Sequence, residues 1–206
     1  KFKKKYYKSL KINKIFYTFL VNSEKRKKIK KIKKKSKLVD KVKQNRILKK
    51  LEFTLTKDQL KTLEEINNDL SSTNKMFRLL QGDVGSGKTI VSLLAAYNTI
   101  NSGFQVAFMA PTEILARQHF NFAKKLFSNQ INIQLISGKS EYKTKKEILK
   151  KLTDNKIDII FGTHAIFQKK VFFKNLGLIV IDEQHKFGVN QRKRLSDKGG
   201  KDCDVL

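Results

Sequence analysis

The sequence predicts an α/β fold in which a mostly parallel sheet is covered by helices on both faces. From about residue 76 onward, short strands that are almost wholly apolar alternate with helical segments. Strands buried on both faces form continuous apolar runs of this kind, and helices between them are typical of parallel connections. A glycine-rich loop follows the first strand, and two carboxylates follow the last long one. Both lie where polar side chains gather in such folds, at the carboxyl ends of the strands.

The elements follow one another regularly along the chain. Strands are predicted at residues 76–80, 105–110, 131–136, 157–161 and 178–181, and Val205-Leu206 reads as the start of another strand. Helices are predicted at residues 57–70, 90–100, 113–127 and 141–152. Thr56 is a suitable N-cap for the first helix, and Ser102-Gly103 ends the second. The pattern therefore predicts one α/β domain over residues 52–206.

The first quarter of the chain is a separate, strongly basic zone. Residues 1–51 hold 22 of the 46 Lys and Arg residues but only 2 of the 18 Asp and Glu residues, in a chain of net charge +28. Apolar residues at near-helical spacing over residues 10–20 predict a helix, and residues 25–37 predict a solvated helix end or a loose linker. We interpret residues 1–51 as a basic helical linker segment. Its charge would attract nucleic acid, but 40 Lys against 6 Arg also fits AT-rich codon usage, so binding and a solvated face both stay open.

Composition excludes several classes of protein. A single cysteine, Cys203, excludes an intramolecular disulfide framework and a multi-cysteine metal site, and it fits a reducing cytosol. No apolar run reaches the length of about 18 residues that a membrane span needs. We therefore expect a cytoplasmic protein without membrane contact.

A phosphate-binding loop is the most specific motif in the chain. It matches the pattern G-x-x-x-x-G-K-[ST] and comprises Gly82, Asp83, Val84, Gly85, Ser86, Gly87, Lys88 and Thr89. Glycines let backbone N–H groups approach phosphate oxygens closely, and the following helix points its N-terminus at them. Lys88 would bind the β- and γ-phosphates, and the Thr89 hydroxyl would bind Mg²⁺. The motif predicts ATP with Mg²⁺ as the bound species.

Two carboxylates close the last long strand. Asp182 is positioned to hold Mg²⁺ through water, and Glu183 is the candidate general base for the attacking water. Lys88, Asp182 and Glu183 are therefore the predicted catalytic residues. His185 has no cluster of metal-binding partners in the sequence, since His119 and His164 are distant, so a coupling or structural role is expected.

The combination of these motifs resembles superfamily 2 helicases with a DEAH-like box, and most closely the RecG family. The resemblance is carried by residues 80–89, 109–119, 162–168 and 181–189. It implies the first of two RecA-like lobes in an ATP-driven double-stranded DNA translocase that remodels stalled forks and Holliday junctions in recombination and repair. It also implies that the second lobe and a wedge domain lie outside this chain, so that this piece alone unwinds no DNA.

The resemblance implies further residue roles. Gln59 is similar to a glutamine that reads adenine, and Gln184 and His185 are similar to residues that couple hydrolysis to movement. Four residues resemble backbone-contacting DNA motifs: Pro111, Thr112, Gly162 and Thr163.

Two other functions remain open. One is the motor of a transcription-repair coupling translocase, which shares this motor type. The other is a non-catalytic nucleic-acid-binding fragment, driven by the basic zone. DNA binding by residues 1–51 and 52–206 at two salt concentrations would separate the second from a motor.

Overall fold

The structure is a computed structural model, and it describes residues 32–138, 142–168, 170–183 and 198–206. The predicted helix over residues 10–20 lies outside the described residues, as do Gln184 and His185. Within the described residues, no helix combines the length and the apolar character needed to cross a membrane.

The described residues contain five parallel strands, which form a central sheet in the order β2-β3-β1-β4-β5. Their bounds are β1 Gln105–Met109, β2 Ile133–Ile136, β3 Ile159–Gly162, β4 Leu176–Ile181 and β5 Asp204–Val205. Strand β1 lies at the centre, where Val106 pairs with Ile159 of β3 and with Leu178 of β4. The predicted parallel sheet is confirmed, and the carboxyl ends of its strands meet at one edge.

Helices cover both faces of this sheet, as predicted. Their bounds are α1 Lys41–Leu48, α2 Lys57–Ser71, α3 Lys88–Asn101, α4 Glu113–Phe127 and α5 Tyr142–Thr153. Alternate strand residues face opposite sides. Val106 and Phe108 belong to the core that contains α2, α3 and α4, whereas Ala107 and Met109 belong to the core that contains α5. Helix α3 is buried over nearly its whole length, from Ile90 to Thr99.

Local chemistry explains where the helices begin. Thr56 caps α2 in a capping box: its hydroxyl accepts the Gln59 backbone N–H, and the Gln59 side chain accepts the Thr56 N–H. Thr112 caps α4 by accepting the Leu115 N–H, and Gly87 caps α3 with a left-handed φ of 79°. The bounds predicted for α4 agree with the structure, and those for α2 differ by one residue.

The strand predicted over residues 76–80 is wrong as a regular strand. In the part of the chain that the structure describes, this segment forms a single parallel bridge, between Phe77 and Val205. The Val205 N–H donates to Met76 O, and the Arg78 N–H donates to Val205 O, each at 3.0 Å. In the sequence given, the partner strand β5 spans Asp204–Val205, and the described pairing stops at this one bridge. The segment still follows the sheet's direction and leads directly into the phosphate loop.

The end of the basic zone packs on the sheet instead of being solvated. The Lys34 and Lys37 ammonium groups lie 2.5 and 2.7 Å from Asp204 Oδ2, and all three side chains have no exposed area. The expectation of solvent exposure was therefore wrong for these two lysines. The physical reason is the carboxylate of Asp204, which sits at the start of β5 and also accepts the Met76 backbone N–H at 2.7 Å.

Helix α1 also joins the core of the α/β domain. Ile47 is 1% exposed and belongs to the same apolar cluster as α2 and α3. Gln44 accepts hydrogen bonds from Asn67 on α2 and from Asn98 on α3, at 3.0 and 3.1 Å. The division into residues 1–51 and 52–206 stays a prediction, but residues 33–48 lie against the domain.

Candidate nucleotide site

The loop between Gly82 and Gly87 has the tight backbone that the motif requires. Gly85 and Gly87 adopt φ angles of 82° and 79°, which residues other than glycine rarely adopt. A Cβ at Gly82 would lie 2.6 Å from the Ser86 hydroxyl, and one at Gly87 would collide with the Gln59 side-chain amide. Neither position therefore has room for a side chain, and α3 begins directly after the loop, at Lys88.

Helix α3 begins with Lys88 and Thr89, and both residues line a cleft. The Lys88 ammonium donates to the carbonyl oxygens of Gly82 and Asp83, at 2.7 and 2.6 Å, so its charge is held over the loop. The cleft has a volume of about 570 Å³ and is lined by Gly82, Val84, Lys88 and Thr89. Asp182 and Glu183 line the same cleft from the end of β4. The structure thus brings together two motifs that are far apart in the sequence.

The backbone at the end of β4 positions the two carboxylates. The Asp182 N–H donates to Met109 O at 2.9 Å, so the strand remains tied to β1 beyond its last paired residue. Glu183 then turns away with a φ of 52°, a left-handed conformation that is uncommon for a residue with a side chain. Such conformations concentrate at functional sites, where the surrounding structure holds them.

His119 of α4 contacts Asp182, and this contact was not predicted from the sequence. Its Nε2 lies 2.8 Å from Asp182 Oδ2. This hydrogen bond holds the pKa of Asp182 below its usual value, and the Glu183 backbone N–H and the Lys88 charge act in the same direction against the effect of burial. The available signal was a lone polar residue in the buried stripe of α4 formed by Ala116, Ala123 and Leu126.

Gln59, the predicted adenine reader, is bound to the phosphate loop. Its Nε2 donates to Ser86 O at 2.8 Å, while its Oε1 accepts the Thr56 N–H. A primary amide has a second N–H and a second acceptor lone pair, so these bonds leave the capacity to pair with a base. The role in reading adenine stays a prediction.

A second cleft of about 340 Å³ lies at the same edge of the sheet, beside β1 and β3. It is lined by Pro111, Thr112 and Thr163, and by Lys145 of α5. Gly162, the fourth predicted DNA contact, is buried and does not line this cleft, and its carbonyl accepts the Ala110 N–H at 3.0 Å. Three of the four predicted contacts are therefore together at a concave surface, and Gly162 is not among them.

Comparisons with known proteins agree with this architecture. The sequence profile described as "DEAD/DEAH box helicase" matches residues 56–202. The chain is 50% identical over 162 residues to the ATP-dependent DNA helicase RecG of Bacillus subtilis, covering 78% of this chain and 24% of that protein. It is 45% identical over 195 residues to the same helicase of Aquifex aeolicus, covering 94% of this chain and 25% of that protein.

A solved structure gives the same assignment. The structure of RecG bound to a three-way DNA junction superposes with a TM-score of 0.78 at 41% identity, covering 89% of this chain and 24% of that chain. The chain thus spans about a quarter of the length of the relatives that it matches. The resemblance to RecG, noted first on four motifs, is confirmed by these matches. With a profile that covers most of its length, the chain belongs to the DEAD/DEAH box helicase family.

Proposed function

We propose that this chain is the ATP-binding lobe of an ATP-dependent DNA helicase that remodels branched DNA, such as stalled forks and Holliday junctions. The observation that carries the proposal is the shared cleft of Lys88, Asp182 and Glu183. Family membership implies nucleotide use, and the proposal adds ATP as the nucleotide. The names of the relatives, ATP-dependent DNA helicases, support DNA as the partner.

The chemistry assigned to the site is phosphoryl transfer to water. Backbone N–H groups of the loop and the N-terminus of α3 would bind the phosphates, with Lys88 on the β- and γ-phosphates. Glu183 would orient the attacking water and accept its proton. Gln59, held at the back of the loop through Ser86 O, is close enough to the loop to take part in base recognition.

The donor atoms in the cleft fit Mg²⁺. The hydroxyl of Thr89 and the carboxylate of Asp182 are oxygen donors, and the pKa of Asp182 is lowered, so this carboxylate is charged at neutral pH. These two donors suit Mg²⁺ with a nucleotide, because such sites use one or two carboxylates together with phosphates and water. When bound, Mg²⁺ would neutralise charge on the phosphates.

The DNA-facing surface is assigned to the second cleft. Thr112 and Thr163 line it with Lys145, and hydroxyl and ammonium groups suit contact with backbone phosphates. Such contacts fix the register of the protein on DNA without reading sequence. The first cleft lies at the carboxyl end of β4, and the second lies beyond the carboxyl ends of β1 and β3. Both are at the same edge of one parallel sheet, which supports a motor in which DNA and nucleotide act on that edge.

The rest of the protein is part of this proposal. Because the match covers only 24% of the Bacillus subtilis relative, we propose that a second RecA-like lobe and a wedge domain complete the motor, in the cytoplasm. In GTPases an arginine finger raises hydrolysis by roughly 10³–10⁵-fold, and the proposal assigns such a finger to the second lobe. The lobe alone should therefore bind nucleotide weakly and unwind no DNA.

ATP hydrolysis by the full-length protein on a synthetic three-way junction tests the proposal. Wild-type protein should hydrolyse ATP faster with the junction than without it. Lys88→Ala should lower kcat by roughly 10²–10³-fold, since it removes a charge aimed at the transferred phosphoryl group. Lys150→Ala removes an exposed lysine of α5 and serves as the matched control, with unchanged rates.

Two results would contradict the proposal. One is a Lys88→Ala variant that keeps wild-type hydrolysis. The other is a wild-type protein whose hydrolysis is indifferent to DNA, which would leave a nucleotide site without the proposed partner.

A further inference from the structure

We propose that His119 is a positioning residue that holds the Asp182 carboxylate in the orientation needed for the Mg²⁺-bound nucleotide. This inference rests on the proposed function of the cleft. It assigns to helix α4 a part in the nucleotide site, although α4 begins at the surface where the DNA contacts are expected.

The contact has the geometry of a charge-assisted hydrogen bond. His119 Nε2 and Asp182 Oδ2 are 2.8 Å apart, and the two side chains are 11% and 22% exposed. Because an ionised carboxylate only accepts, the proton must be on Nε2 of His119. Hydrogen bonds of this kind are shorter and stronger than neutral ones, and partial burial reduces competition from water.

His119 is itself fixed by the core. It lies in the buried stripe of α4, and its ring stands 5.1 Å from the ring of Phe108, tilted by 48°. Phe108 belongs to the central strand, next to Met109, whose carbonyl accepts the Asp182 N–H. Asp182 is thus fixed at two points. Its backbone N–H is bound by β1, and its carboxylate is bound by α4, the helix that follows β1.

The hydrogen bond from His119 engages Oδ2 of Asp182. It can therefore orient the carboxylate while Oδ1 remains available for the proposed Mg²⁺ or its bound water. Lys88 and Thr89 lie across the cleft, where the proposed Mg²⁺ and phosphates would be. In metal sites, partners that orient a ligand typically change metal affinity or activity by about 10–100-fold when they are removed. A histidine that only fills space in the core would show no such effect.

Substitutions in the full-length protein separate the two roles. Gln has an amide nitrogen at about the position of Nε2, whereas Asn reaches only the position of Nδ1, so His119→Gln keeps the donor and His119→Asn loses it. His119→Phe keeps the ring against Phe108 and also loses the donor. Gln118→Asn, at an exposed neighbouring position of α4, is the matched control.

The probes are a fluorescent N-methylanthraniloyl ADP, titrated with and without Mg²⁺, and the kcat for ATP. His119→Asn and His119→Phe should bind the analogue as wild type does without Mg²⁺. The gain in affinity on adding Mg²⁺, and kcat, should each fall by about 10–100-fold. His119→Gln should keep both within about threefold of wild type, and the control variant should match wild type.

The results distinguish the two proposals. A gain with Mg²⁺ that is unchanged in the Asn and Phe variants would overturn the role of His119, as would equal losses in the Gln and Asn variants. If the Asn variant does not fold, the Gln and Phe pair gives the same comparison. A wild-type protein that binds no ADP analogue would instead contradict the proposed nucleotide site.

Discussion

At the scale of single residues, Asp204 connects three parts of the chain that are far apart in sequence. Its carboxylate accepts hydrogen bonds from the ammonium groups of Lys34 and Lys37 and from the Met76 backbone N–H. Desolvation lowers the pKa of Lys34 even though Asp204 opposes this shift. The two lysines therefore depend on this carboxylate, because a buried charge without a partner is strongly unfavourable.

Asp204→Asn should lower the free energy of unfolding by about 3–5 kcal/mol, the usual effect of removing one partner from a buried ion pair. The substitution keeps the size of the side chain but leaves two buried ammonium groups without a counter-charge. Chemical denaturation of the 206-residue chain at pH 7 measures the change.

Asp202→Asn is the matched control for this prediction. Asp202 is less buried and accepts the Lys35 N–H through Oδ1, a bond that an amide oxygen can also accept. Its effect should stay below about 1 kcal/mol, as for most exposed substitutions. If the two variants were equally stable, the buried cluster would not stabilise the fold.

At the scale of elements, the N-terminus of α2 connects helix capping to the phosphate loop. Gln59 takes part in the capping box with Thr56 and also donates to Ser86 O. The same side chain thus fixes the start of a helix and the shape of the loop. Loss of the cap should therefore affect both stability and nucleotide binding.

Thr56→Ala should destabilise the chain by about 1 kcal/mol, because it removes the acceptor for the Gln59 N–H. It should also weaken binding of the ADP analogue, since Gln59 loses part of its support.

Thr62→Ala in the middle of α2 is the control. The Thr62 hydroxyl donates back to Asp58 O within the same helix, and alanine has a higher helix propensity than threonine. The stability of this variant should therefore be unchanged or slightly higher. Melting curves and nucleotide titrations of both variants measure the two effects. Equal behaviour of the two would contradict the capping argument.

Elements with strong local signals were predictable from the sequence. Helix α4 begins after a threonine cap and carries a regular apolar stripe, so its bounds followed from residues 112–127 alone. The phosphate loop was equally clear, because its glycines and lysine are adjacent in sequence. The strand at residues 76–80 was not, because its pairing depends on the short strand β5, well over a hundred residues away.

Interactions between distant residues explain the remaining differences. Lys34 reads as a solvated residue until its partner, 170 residues further along, is known. In the same way, His119 stands out only as a polar residue in the apolar stripe of α4, and the fold is needed to bring it to Asp182, 63 residues later. Local patterns identified the parts of the candidate site, but its hydrogen-bonded connections depend on the tertiary structure.

At the scale of the whole molecule, positive charge and packing divide the basic zone into two parts. Residues 1–31 hold 13 basic residues and one acidic residue. Residues 33–48 lie against the α/β domain, through Lys34, Lys37, Gln44 and Ile47. The zone therefore combines a large positive charge with a described segment that packs on the domain.

Two truncations should separate these contributions. Removing residues 1–31 keeps both lysine partners of Asp204 and keeps Ile47. Removing residues 1–51 takes away both lysines and the Ile47 side chain, whose burial alone contributes about 1.5–3 kcal/mol. The shorter chain should therefore lose several kcal/mol of unfolding free energy in chemical denaturation.

DNA affinity should instead change mostly when residues 1–31 are removed. The slope of log K against log salt changes by about 0.9 for each DNA phosphate that the protein no longer neutralises, so most of the change should come with residues 1–31. A chain of residues 52–206 as stable as one of residues 32–206 would show that the buried lysines do not hold the segment to the domain.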